Sequence, residues 1–263
     1  MTAKSKFGVP MNSGEYAKEW QVNSAGFESH GDYKWMATQL GNADTVLEIG
    51  CGSGNGTLEL AKQGRRFVVI EPNAELAQMA LNTLRNANIS VDYVAASALH
   101  TTLPTGNVII DADIFDKSLD RLLASTQFDA IVCWLIGAEP ERVASNLNVA
   151  FDEFQGGEPT LYRERLHARC GELGALCLKP RGLIHVVDRQ GVSHMDDCKP
   201  FIPIIVENHS KVFGPRYSVS SQSISFRELS TSLAADSRMQ YSSNQTVTAK
   251  GILIFVSVKA VLS

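Results

Sequence analysis

The run Glu48-Ile49-Gly50-Cys51-Gly52-Ser53-Gly54 places one acid ahead of glycines that recur at every second position as far as Gly56. A strand that turns through such a loop into a helix brings bare backbone close to a ligand, because glycine has no side chain. The spacing argues against two phosphate-binding alternatives. A dinucleotide fingerprint needs G-x-G-x-x-G, and a phosphate loop ends in Gly-Lys-Ser/Thr; neither is present. A second acid, Glu71, followed by Pro72, closes the next apolar run. An acid at the tip of a parallel strand sits at the carboxyl edge of the sheet, where open α/β folds bind ligands.

Other residues with chemical capacity are more scattered. Asp113, followed by Ile114, ends a further apolar run, with Asp111 and Asp116 crowding the same stretch and Ser97-Ala98 competing for its place. Cys133 and Trp134 end the run that starts at Phe128, and Asp188 ends the one that starts at Leu183. His194-Met195-Asp196-Asp197 follows Asp188 in what reads as a polar loop. His194 is the best general-base candidate, since imidazole titrates near neutrality, and the neighbouring carboxylates suit a hard cation. His30 and His209 are weaker alternatives, and His167 and His185 read as structural. The five cysteines are odd in number and contain no C-x-x-C pair, so neither a disulfide framework nor a zinc site is expected. No metal is expected overall. Tyr16, Trp20, Tyr33 and Trp35 form a dense aromatic group near the start of the chain, suited either to a planar or apolar small molecule or to plain helix packing.

These residues need elements to position them. Residues 15–21 and 32–40 suggest two short helices, which with the residues before them form an N-terminal helical cap over 1–44. From residue 45 strands and helices alternate: strands at 46–49, 66–70 and 128–135, with helices at 57–63, 74–86 and 116–124. This pattern points to an α/β fold, a three-layer sandwich around a mostly parallel sheet. Asn73 is a good N-cap for the helix it precedes. Residues 108–113 take the place of the third main strand, and 90–106 reads as an inserted hairpin or excursion. A long helix is expected over 160–178, stopped by Lys179-Pro180-Arg181-Gly182. The strand at 183–187, a polar loop containing Pro200 and Pro203, and strands at 217–226 and 251–261 complete the sheet. With no linker evident, 45–263 reads as one structural unit. The first ten residues read as a loose tail and not as a signal peptide.

At the glycine loop the chain resembles the class I S-adenosylmethionine (SAM)-dependent methyltransferases, whose loop is likewise an acid, any residue, then alternating glycines. Glu71, Asp113-Ile114, Phe128-Asp129-Ala130-Ile131-Val132-Cys133 and Leu178-Lys179-Pro180-Arg181-Gly182 agree with that family in order, so the resemblance spans residues 45–189. It implies a Rossmann-like fold and SAM as cofactor, held by Glu48, Gly50, Cys51, Gly52, Gly54, Glu71, Pro72, Asp113, Ile114, Cys133 and Trp134. Glu71 would take the ribose hydroxyls, which are donors a carboxylate can accept from, and Asp113 the adenine amino group. The acceptor site would lie over the later strands, with Tyr16, Trp20, Tyr33 and Trp134 against the acceptor and Asp188 and His194 as catalytic candidates. The Asn-Pro-Pro-Tyr motif of adenine and glutamine methyltransferases is missing, with Cys133-Trp134-Leu135-Ile136 in its place. That leaves a small-molecule acceptor, methylated on O or N by direct displacement, as the expectation, and a non-catalytic SAM-binding subunit as its rival. Aminopropyl transfer ranks low, because that loop carries Gly-Gly-Gly-Asp-Gly.

Composition sets the outer limits. With 24 basic and 28 acidic residues the net charge is -4, and the pI is about 5.9. Phosphate backbones and anionic membranes require a clustered positive field, so no nucleic-acid or membrane partner is expected. The cysteine usage fits a reducing, cytoplasmic setting. A homodimer is left open.

Overall fold

The computed structural model describes residues 11–98, 102–229 and 251–263. The tail expected over 1–10 lies outside them. Among the described residues a nine-stranded sheet runs in the order β3-β4-β2-β1-β5-β6-β9-β7, with β8 also paired to β9. Its strands are β1 (Thr45–Ile49), β2 (Arg66–Ile70), β3 (Asp92–Ala95), β4 (Val108–Asp111), β5 (Phe128–Trp134), β6 (Leu178–Val192), β7 (Tyr217–Ser218), β8 (Ile224–Glu228) and β9 (Ile252–Leu262). The six strands β1 to β6 are mutually parallel, and β9 runs antiparallel to β6, β7 and β8. Continuous apolar strands such as Phe67-Val68-Val69-Ile70 and Ala130-Ile131-Val132-Cys133 are buried because helices cover both faces.

The helices are α1 (Ser13–Ser29), α2 (Asp32–Thr38), α3 (Asn55–Lys62), α4 (Ala74–Asn86), α5 (Ser118–Leu123), α6 (Pro140–Leu147), α7 (Glu158–Cys177) and α8 (Ile202–Phe213). One core gathers Leu47, Ile110, Phe128, Ile131, Cys133 and Ile184 against α5 and α7. A second gathers Trp20, Phe27, Tyr33 and Met36 of α1 and α2 against Val46, Val132 and Phe255. The N-terminal helices are thus seated on the sheet rather than appended to it. A capping box starts α1, where Asn12 Oδ1 accepts from Glu15 N while Glu15 Oε2 accepts from Asn12 N. α1 starts before the expected 15–21 and runs on to Ser29.

Three expectations need correction. The 90–106 stretch is not a hairpin: β3 lies parallel to β4 at the sheet edge, in the register Asp92↔Val108 to Ala95↔Asp111. The main strand is β4, beside β2, as its distance from β5 implies. The stretch expected as a polar loop around Pro200 and Pro203 is helical, with a 3-10 turn at Met195–Phe201 and then α8. Pro203 is in the first turn of α8, where its missing N–H removes no helical hydrogen bond. Finally, Lys179-Pro180-Arg181-Gly182 does not separate α7 from β6 but bulges within β6. Phe128 pairs Leu178 and Ala130 already pairs Leu183, and Arg181 takes a φ of 63°.

Candidate functional site

All six parallel strands point their carboxyl ends to one edge, and a cleft of about 590 Å³ opens there. Its floor is Ile49, Gly50 and Gly52 of the glycine loop; β2 contributes Ile70, Glu71, Pro72 and Asn73; β4 contributes Asp113 and Ile114. The loop after β5, from Trp134 to Glu139, forms one wall, with Arg142 of α6 and Tyr162 and Leu166 of α7 behind it. Tyr16 and Trp20 of α1 form the roof.

Glu71 organises the floor. Its Oε2 accepts from Cys51 N (3.1 Å) and Gly52 N (3.3 Å), and its Oε1 accepts from Asn73 N (2.9 Å). Burial pushes its carboxyl up to about 7, against the pull of those three N–H groups and of Arg142. Asn73 in turn caps α4, its Oδ1 accepting from Glu75 N and Leu76 N. The first-turn geometry of the glycine loop and of α4 therefore hangs on one carboxylate.

Arg142 ties together three strand-end loops. It donates to Asp113 Oδ2 (3.0 Å), to Glu139 Oε1 (3.0 Å) and to the Pro72 carbonyl (3.2 Å). Asp113 Oδ1 accepts from Phe115 N. Trp134 is fixed from behind by a chain across three strands. Its Nε1 donates to His185 Nδ1 (3.0 Å), and His185 Nε2 meets Ser257 Oγ at 2.8 Å. An indole nitrogen can only donate, so Nδ1 accepts and Nε2 carries the proton. Burial lowers the His185 pKa to about 3, which keeps the ring neutral.

Of the residues expected at a cofactor, Gly50, Gly52, Glu71, Pro72, Asp113, Ile114 and Trp134 line the cleft, whereas Glu48, Cys51, Gly54 and Cys133 do not. Glu48 turns under the loop, where its Oε2 accepts from Thr57 Oγ1 at 2.7 Å. Cys51 packs with Ala77 and Ala80 of α4, and Cys133 lies against Cys170. Of the residues expected at an acceptor, Tyr16, Trp20 and Trp134 line the cleft, whereas Tyr33 is spent on packing, its hydroxyl bonded to Ser24 Oγ (2.9 Å). Neither catalytic candidate reaches the cleft. Strand alternation turns Asp188 toward α7, where its Oδ2 lies 3.8 Å from His167 Nε2, and His194 is the exposed N-cap of the 3-10 turn at Met195–Phe201. Glu139, Arg142 and Tyr162 are not among the residues expected from the sequence. A signal for Glu139 and Arg142 is nonetheless present: Glu139-Pro140 is a helix start just after a strand that ends at the ligand edge.

Glu48 makes pH a test of this geometry. Burial raises its carboxyl to about 8. A carboxyl whose folded pKa lies above the unfolded value stabilises the fold fully below the ordinary carboxylate range, and that stability is lost as pH rises through the folded pKa. The thermal midpoint is therefore expected to fall between pH 5 and about pH 8. Glu48→Gln should flatten part of that fall in a melting series, and a slope identical to the wild type would count against a buried, neutral Glu48.

The cleft fits SAM on the chemistry of its donors and acceptors. SAM carries ribose hydroxyls, an adenine amino group and an ammonium as hydrogen-bond donors beside one carboxylate, and it has no phosphate. Among the described residues the lining offers the carboxylates of Glu71 and Asp113 to these donors, and Arg142, the single cation of the lining, is committed to Asp113 and Glu139. The glycine floor is open to close approach: a Cβ on Gly52, at φ +52°, would run into the Trp20 indole that rests on it.

Comparison with known proteins agrees. Residues 46–124 match the family model described as a methyltransferase domain. Two curated ribosomal protein L11 methyltransferases, from Neisseria meningitidis serogroups A and B, are each 31% identical over 143 residues, covering 54% of this chain. The matched region is 40% of their own length, so the chain spans less than half of the curated relatives it matches. Among solved structures, SMU.776, described as a methyltransferase and crystallised with S-adenosylhomocysteine (SAH), superposes with a TM-score of 0.51 at 13% identity, over 88% of this chain and 49% of that one. The N-methyltransferase NodS of Bradyrhizobium japonicum, solved with SAH, gives 0.43 at 12% identity over 89% and 86%. Among the described residues no helix is long and apolar enough to cross a membrane. Over residues 46–124 the chain thus resembles methyltransferase domains, within a Rossmann-like fold whose cleft suits SAM as cofactor.

Proposed function

We propose that the chain transfers the SAM methyl group to a small-molecule acceptor held in the same cleft, by direct in-line displacement. The observation that carries this reading is the aromatic roof. Tyr16 and Trp20 of α1 close over the cavity that the glycine loop and Glu71 floor, which suits a compact acceptor better than an extended polypeptide. When bound, SAM supplies an electrophilic methyl carbon on its sulfonium. The protein's share is orientation and electrostatics. Glu71 and Asp113 face hydroxyl and amino donors, Gly50 and Gly52 let backbone approach, and the His185-held Trp134 fixes the wall next to the reacting centre.

A second reading, a protein acceptor, is favoured by the likeness to the L11 methyltransferases. The two separate in one experiment. The protein is incubated with methyl-labelled SAM and a cell extract split by size into metabolites and proteins. Label is expected among the metabolites, and label confined to the protein fraction would overturn the small-molecule reading.

A further inference from the structure

The cleft has an unused acid. Glu139 is 7% exposed, lines the cavity, and bonds only Arg142, through Oε1; its Oε2 has no partner among the described residues. Two largely buried tyrosines, Tyr16 and Tyr162, whose hydroxyls also make no hydrogen bond among the described residues, line the same cavity. Tyr16 lies close enough to Glu139 for its charge to reinforce the upward shift that burial gives the phenol, and Tyr162 feels Glu139 as well as Asp113. The Tyr16 hydroxyl also sits against the loop after β5, 2.9 Å from where a Cβ on Gly137 would stand. Glu139 stands at the N-terminus of α6, and both that terminus and the Arg142 guanidinium favour negative charge at this position.

We propose that the acceptor is an amine, bound as its ammonium by Glu139 Oε2 between the Tyr16 and Tyr162 hydroxyls, so that the reaction is an N-methylation. This rests on the methyl-transfer reading above. Charge balance supports it. Three carboxylates line the cleft against one guanidinium, and Arg142 is spent on Asp113, Glu139 and the Pro72 carbonyl, so among the described lining residues no cation is left over for an anionic acceptor. Arg189 stacks over the Trp20 and Phe27 rings and is not part of the lining. An alcohol is a far weaker acid than an ammonium and would need a strong base, whereas an ammonium loses its proton to solvent in a small fraction of molecules at neutral pH. The face of Trp134 suits the cation that remains after transfer.

The step balances. The ammonium, oriented by the Glu139 carboxylate, loses one proton to solvent, and the freed nitrogen lone pair attacks the sulfonium methyl carbon. The N–C bond forms as the C–S bond breaks, and the C–S pair stays on sulfur, giving the thioether. An ammonium and SAM thus become an N-methylammonium, SAH and one proton.

The test uses SAH-loaded full-length protein, with benzylamine and the isosteric benzyl alcohol as probes, in titration calorimetry. Benzylamine is expected to bind about tenfold or more tighter than the alcohol, as a charge-assisted hydrogen bond allows. Glu139→Gln keeps an oxygen for Arg142, so SAH affinity should hold while the amine-to-alcohol ratio falls toward one. A wild-type ratio near one, or a ratio that survives in the variant, overturns the proposal. Failure of SAH to bind would instead overturn the cofactor reading. The amine-to-alcohol ratio is then measured on the unloaded protein, where a preference for the amine supports the amine site and a ratio near one overturns it. The wild-type ratio needs no variant, so misfolding of Glu139→Gln does not rescue the idea.

Discussion

Glu71→Gln is expected to weaken SAH binding by about 2–3 kcal/mol, on the order of 30- to 150-fold, and to lower the melting temperature as well. The reason is that both oxygens of this carboxylate face donors: Cys51 N and Gly52 N on one side, Asn73 N on the other. A glutamine has one acceptor and one NH2 group, so in either rotamer a donor is pressed against a backbone N–H. The buried N–H left unsatisfied costs about 1–3 kcal/mol by itself. Ligand hydroxyls that the carboxylate would accept are lost in addition. Calorimetry with SAH and a thermal melt without it separate the two components. If the variant binds SAH like the wild type, the assignment of Glu71 to the ligand fails. If it also melts like the wild type, the role of Glu71 in holding the loop fails with it.

Gly54→Ala should destabilise the fold by on the order of 3 kcal/mol, through a different mechanism. Gly54 sits at φ +87°, where an L side chain is strained, and its Cβ would stand 2.7 Å from the Ala80 Cα and 3.2 Å from the Ala80 carbonyl oxygen. Those are backbone atoms of α4 and cannot swing aside. In a chain of this size that corresponds to roughly 10 °C in melting temperature. Gly52→Ala makes the informative contrast, because its Cβ, though also strained at φ +52°, meets the Trp20 side chain rather than backbone. Gly54→Ala is expected to show the larger loss in a thermal melt without ligand, and Gly52→Ala a loss in SAH titration as well as in the melt. An unaltered melt for Gly54→Ala would refute the close approach of α3 and α4.

These two glycines mark how far sequence reading reaches. The alternating spacing after Glu48 marks the loop, but both glycines look alike as ligand contacts. Only the packing of α3 against α4 separates the glycine that faces the cleft from the one that lets two helices touch. The same holds for the two acids. Glu48 and Glu71 both stand at strand ends in the sequence, yet the pleat turns Glu48 under the loop to Thr57 and leaves Glu71 facing the cavity.

What the linear pattern determined was the parallel sheet, the loop and the strand ends. Each rests on local rules: apolar runs too continuous for a half-exposed strand, glycine where backbone must come close, and an N-cap at Asn73. Residues between elements carry no such periodic signal, and there residue type misleads. His194 and Asp188 look suited to chemistry, but alternation along β6 and the turn after it carry them away from the cleft. Glu139 and Arg142 look like an ordinary helix start, yet the crossover from β5 to α6 swings them over β2 and β4, far away in sequence. Tertiary structure alone decided which charges share the cavity, because that depends on which strand ends become neighbours across the sheet, a long-range property that no local spacing encodes.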